Sequence, residues 1–138
     1  MIDVISDEVI SKLLTIADSN NIIIRDNLNL TTGTPDVCFT YDKGIVMNPN
    51  WDIKVNYSFR LSHELSHILY GDHEAQAVYQ FSEYGKRGEE LIAHRNAIIM
   101  LMSIEMPSSP LTFMDYYRVP AWLESDVVKT YNEFNIMY

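Results

Sequence analysis

Two histidines and a glutamate fall within one five-residue stretch, His63-Glu64-Leu65-Ser66-His67. In an α-helix, side chains four residues apart stack on one face, so His63 and His67 can aim ring nitrogens at a common point about 2 Å from each. Glu64 then lies beside that point, where its carboxylate can take a proton from a metal-bound water. Zinc held in this way would lower the pKa of its water towards about 7 and polarise a carbonyl, which together serve amide hydrolysis at neutral pH. The spacing therefore predicts a metal site with Glu64 as general base. The competing reading is a pair of hydrogen-bonded structural histidines.

A catalytic zinc takes three protein ligands and keeps a fourth position for water. His73 stands ten residues after His63, the spacing of the third histidine in the metzincin pattern HExxHxxGxxH. That pattern needs glycine at the seventh position after the first histidine, where this chain has Tyr70, with Gly71 one residue late. The other source is a carboxylate on a second helix packed against the first, and Gly88-Glu89-Glu90-Leu91 supplies Glu89 and Glu90. Glu89 also suits a solvated helix start, because acidic side chains favour the positive end of the helix dipole. Cys38, within Val37-Cys38-Phe39, reads as a small buried residue rather than a ligand.

These side chains need elements to carry them. Asp7 to about Asn20 has Val9, Ile10, Leu13, Leu14, Ile16 and Ala17 at helical spacing. Ile22-Ile23-Ile24, Val37 to Tyr41 and Gly44 to Met47 read as short strands, the last two joined as a hairpin through Asp42-Lys43-Gly44. The expected sheet is three-stranded and mainly antiparallel. Asn56 to Tyr70 reads as the motif helix, with Gly71 expected in the left-handed conformation that ends it. A further helix is expected from Gly88 to Met102, extended by a turn on the evidence of Met106-Pro107. Ser109-Pro110 and Val119-Pro120 place prolines at the starts of two more helices.

Glu90-Leu91-Ile92-Ala93, with Ala97 four residues on and Leu101-Met102 beyond, resembles the E-x-x-A-x-x-x-A-x-x-x-L-M-P signature of ImmA/IrrE-type metallopeptidases. Those proteins carry HELGH upstream, similar to His63-Glu64-Leu65-Ser66-His67, and the resemblance covers roughly residues 5 to 103. Ser66 replaces the usual glycine, His94 and Asn96 replace typical Asn/Asp and Phe, and Ser103 stands where proline is usual; none of these removes a ligand. The resemblance implies an α+β, zincin-like single domain over residues 1–138, with 108–138 as a C-terminal helical extension. It implies zinc ligands His63, His67 and Glu90, with Ala93 and Ala97 letting the two helices approach closely. His94 can orient Glu90 or stabilise an oxyanion, or sit partly exposed on its helix; His73 becomes a loop or rim residue.

ImmA/IrrE-type proteins commonly relieve phage or mobile-element repression by cleaving repressors, so the implied substrate is a DNA-binding repressor. The alternative from another class is a partner-binding antirepressor that keeps the metal fold without turnover. Ten basic against nineteen acidic residues, a net charge of −9, oppose direct nucleic-acid or anionic-lipid binding. With no basic leader-like start, no apolar run long enough to span a bilayer and a single cysteine, the expectation is a cytoplasmic protein. At 138 residues, 47% hydrophobic and 21% charged, the chain suits one core. Tyr57, Tyr70, Tyr79 and Tyr84 flank the motif; one of them could donate to an oxyanion, although a core or rim role is the better reading for each. Phe113, Tyr117, Trp122, Val128, Tyr131 and Phe134 are expected to pack the C-terminal helices onto the domain.

Overall fold

The computed structural model describes residues 2–71 and 88–137. His73, Tyr79 and Tyr84 lie outside the described residues. The described chain is α+β, with five helices and a small mixed sheet.

Helix α1 (Ile2–Ser19) buries Val9, Leu13 and Ala17, which share one face through their four-residue spacing, while Leu14 stays largely exposed. Asn21 takes a left-handed conformation and turns the chain into β1 (Ile23–Arg25). Strands β2 (Val37–Phe39) and β3 (Gly44–Val46) form the expected hairpin, pairing Cys38 with Ile45. The positive φ of the turn falls on Lys43, whose ammonium donates to the Asn20 carbonyl.

The strand order β1-β3-β2 corrects the expectation of a mainly antiparallel sheet. The returning hairpin strand β3 inserts between β1 and β2, so β1 and β3 are parallel, with Ile24 opposite Ile45. Ile45 and Met47 explain the placement. Both are almost fully buried, so this stretch is drawn to the centre of the sheet, against the helices.

Asn56 caps α2 (Tyr57–Tyr70) by accepting from the Ser58 amide. Every residue from Ser58 to Ile68 is buried, which makes α2 the central helix. Two of its polar residues are satisfied internally: Ser62 donates to the Phe59 carbonyl and Ser66 to that of Ser62. The Ser66 hydroxyl is thus absorbed by its own helix.

Gly71 is extended (φ −86°, ψ 174°), not left-handed as the sequence suggested. Space, rather than backbone sign, calls for glycine here: a Cβ would come within 2.6 Å of the His67 carbonyl and 3.0 Å of a Glu89 carboxylate oxygen. The left-handed glycine is instead Gly88, which opens α3 (Gly88–Ile104). Helix α3 runs past Met102, as the late Met106-Pro107 indicated, and packs along α2 with Ala93 and Ala97 buried.

Ser109 caps α4 (Pro110–Tyr117) by accepting from the Thr112 amide, with Pro110 at the first helical position. Pro120 precedes a short 3₁₀ turn (Ala121–Leu123) instead of opening a helix directly, and α5 (Glu124–Met137) follows. Phe113, Tyr117, Val119, Leu123 and Val127 join the same hydrophobic core as the earlier elements, whereas Val128 stays outside it, 36% exposed. Among the described residues no helix is long and apolar enough to cross a membrane.

Candidate metal centre

Buried helix α2 presents His63 and His67 one turn apart, and α3 brings Glu90 to them from its first turn. The His63 Nε2 atom lies 2.9 Å from Glu90 Oε1, and His67 Nε2 lies 3.1 Å from both of these atoms. The exposures are 0% for His63, 3% for His67 and 7% for Glu90, so the group is buried and only the edges of His67 and Glu90 reach solvent. Among the described residues these three form the group able to hold a metal ion. Neither Glu89 nor His94 belongs to it: Glu89 reaches Gly71 at the end of α2.

Proton counting shows why this donor set suits a cation. Glu90 ionised accepts only, so satisfying both of its contacts requires a proton on Nε2 of each histidine. The remaining Nε2···Nε2 contact at 3.1 Å would then set two N–H groups against each other. A cation facing three lone pairs removes the conflict. Tetrahedral zinc with bonds of about 2.0–2.1 Å separates its donors by roughly 3.3 Å, close to the triangle observed. The residues fit a divalent metal.

The electrostatics of His63 and Glu90 agree with that count, while His67 shifts the other way. Burial pulls His63 down to about 4 despite its hydrogen bond to Glu90, leaving a neutral imidazole available as a donor. Burial also opposes charge on His67, but the hydrogen bond to Glu90 and the charges of Glu64, Glu90 and Glu89 raise it. Glu90 resists its own burial through the hydrogen bonds from the two histidines and is held down at about 2. A carboxylate and a neutral imidazole are both in metal-binding form at neutral pH.

Glu64 is 1% exposed on the same helix. The Cys38 thiol faces it from β2: burial pushes the thiol up, and the charge of Glu64, a hydrogen bond to its carboxylate and the charge of Glu90 push it further. Cys38 is the small buried residue expected. Of the two described tyrosines beside the motif, Tyr57 directs its hydroxyl to Asp26 at 3.4 Å and Tyr70 is 62% exposed.

His94 departs from the partly exposed alternative, because it is fully buried. Its ring packs against His63 (centroids 4.1 Å apart), Phe59 (6.0 Å) and Trp122 (5.3 Å). One turn before His63, Arg60 is buried and pairs with Asp36 at 3.4 Å, its guanidinium lying over the rings of Trp51 and Tyr57. Asp36 also accepts from the Asn48 amide, and the Asn48 side chain donates to the carbonyls of Thr31 and Thr34. The position of Arg60 three residues before His63 was a readable sign of a shared helix face. Asp36 and Asn48, in loops, gave none.

In comparisons with known proteins, no family model, no curated protein and no solved structure matches the chain.

Proposed function

We propose that this chain is a zinc-dependent endopeptidase of ImmA/IrrE type with a zincin-like fold, acting on a DNA-binding repressor to relieve transcriptional repression. The convergence of His63 Nε2, His67 Nε2 and Glu90 Oε1 within 2.9–3.1 Å of one another carries this reading. Bound there, zinc supplies Lewis acidity to a water and to a substrate carbonyl. His63, His67 and Glu90 hold the ion in a setting with little bulk water, and their shared burial fixes the ring and carboxylate orientations. Glu64 supplies the base, taking a proton at its carboxylate and returning it to the leaving amine. The repressor as substrate rests on the resemblance of the Glu90–Met102 stretch and the motif helix.

The test is incubation of the purified protein with a candidate repressor, with products read by intact-mass spectrometry. Zinc-loaded wild type should yield two fragments whose masses sum to the substrate plus one water, while chelated protein and Glu64→Gln should yield none. Relief of repression by Glu64→Gln equal to wild type would replace the peptidase with a stoichiometric, partner-binding antirepressor.

A further inference from the structure

We infer that the C-terminal segment contributes a positioning residue to the metal centre: Trp122 holds His94, and His94 holds the His63 ring at the orientation that its ligand role requires. This rests on the metal reading above and extends it beyond the stretch that resembles a known signature, which ends near residue 103.

The contacts form an unbroken series. His94 lies one turn after Glu90 on α3, so it faces the same side as the third ligand. Its ring is tilted 39° to His63 at 4.1 Å and lies nearly parallel to Phe59, which is one turn before His63 on α2. The Trp122 indole meets His94 edge-on at 79°. His94 is therefore enclosed by two rings of the metal-bearing helix and one ring of the C-terminal segment, with no exposed surface. A close-packed ring in that position has no room to rotate unless a neighbour moves.

The segment that carries Trp122 is anchored to both ligand-bearing helices. The amide of Asn56, the cap of α2, donates to the Tyr117 carbonyl at the end of α4. Arg95, next to His94, donates to Asp126 of α5 at 2.8 Å. Leu123, adjacent to Trp122, is fully buried. Trp122 is thus presented from a fixed platform. Loss of a group that orients a metal ligand typically weakens metal binding 10- to 100-fold, and an aromatic contact belongs at the lower end of that range.

Cobalt(II) is the probe, because its visible absorption reports ligand geometry whether or not any substrate is turned over. Trp122→Leu and His94→Ala in the full chain should weaken cobalt binding about tenfold and shift the absorption envelope, and Trp122→Phe should restore much of both. Tyr131→Phe removes the Tyr131–Ser108 hydrogen bond in the same segment without touching His94 and should leave the spectrum unchanged. A wild-type spectrum in Trp122→Leu, or an equal shift in Tyr131→Phe, overturns the inference. Failure of wild type to bind cobalt overturns the metal reading itself. Coupling is reciprocal, so a second measurement needs no disruptive variant. In Trp51→Phe, which leaves Trp122 as the sole tryptophan, zinc should change the emission in proportion to occupancy, and an unchanged emission overturns the inference.

Discussion

Two buried polar clusters flank the same turn of α2, and they differ in whether their protons can be shared out. In the first, Arg60 offers only donors and Asp36 only acceptors; they pair in charge at 3.4 Å, and Asn48 links them, its amide donating to Asp36 and its carbonyl accepting from Arg60. In the second, His63, His67 and Glu90 bring three electron-pair donors to one point, and with Glu90 ionised no placement of protons on the two histidines satisfies all three contacts. Burial is similar in both. The difference teaches that complementarity marks a structural clamp, whereas convergence of like lone pairs marks a place for a cation.

The largest expected effect separates the two clusters by metal content. Glu90→Ala should lose most bound zinc, and Asp36→Asn should retain it, both measured by elemental analysis of dialysed protein. Retention of zinc by Glu90→Ala would move the third ligand elsewhere, with His73 next to be substituted. The clamp answers to stability instead. Arg60→Met should cost about 3–5 kcal/mol in denaturant melts by leaving Asp36 buried without its charge partner, and the double variant Arg60→Met/Asp36→Leu should recover much of that loss. If the double variant is no better than the single one, the pair does more than compensate its own burial.

Zinc added to the apo protein should raise stability by about 2.7 kcal/mol at a free concentration one hundred times its dissociation constant, and Glu90→Ala should show almost none of this gain. The smallest effect is a pH slope. Burial raises Asp36 above its ordinary 3.8, outweighing Arg60 and the Asn48 amide, so the folded state binds that proton more tightly than the unfolded chain does. Stability should therefore fall as pH rises through the window just above 3.8 and be flat in this respect beyond it, a slope that Asp36→Asn removes.

Local periodicity made the helices legible: the face of α1, the starts of α2 near Asn56 and of α4 at Pro110, and the close approach at Ala93 and Ala97 all follow from residue type and spacing. The His63–His67 pair was equally legible, since one helical turn places both. Bringing Glu90 to them depends on how α3 packs, which spacing alone left open between that carboxylate and His73. The parallel β1–β3 pairing was not legible, because the strands are only three residues long and their order is decided by which one the helices cover. Gly71 misled for a related reason: glycine at a helix end signals a left-handed turn, but here the backbone is extended and the demand comes first from the His67 carbonyl, which a Cβ would approach to 2.6 Å. The burial of His94 against Trp122 likewise arises only once the 3₁₀ turn before α5 is docked.

Glu90 meets His67 across 23 positions of sequence. An ion gripped by both would close that stretch into a ring, as a removable crosslink does, and restrict the unfolded chain in the way a disulfide would. Chain-entropy arithmetic for a ring of that size gives roughly 3 kcal/mol. A chelator would cut this crosslink without breaking any covalent bond, so metal supply would govern how tightly the two central helices are tied as well as whether the centre is armed.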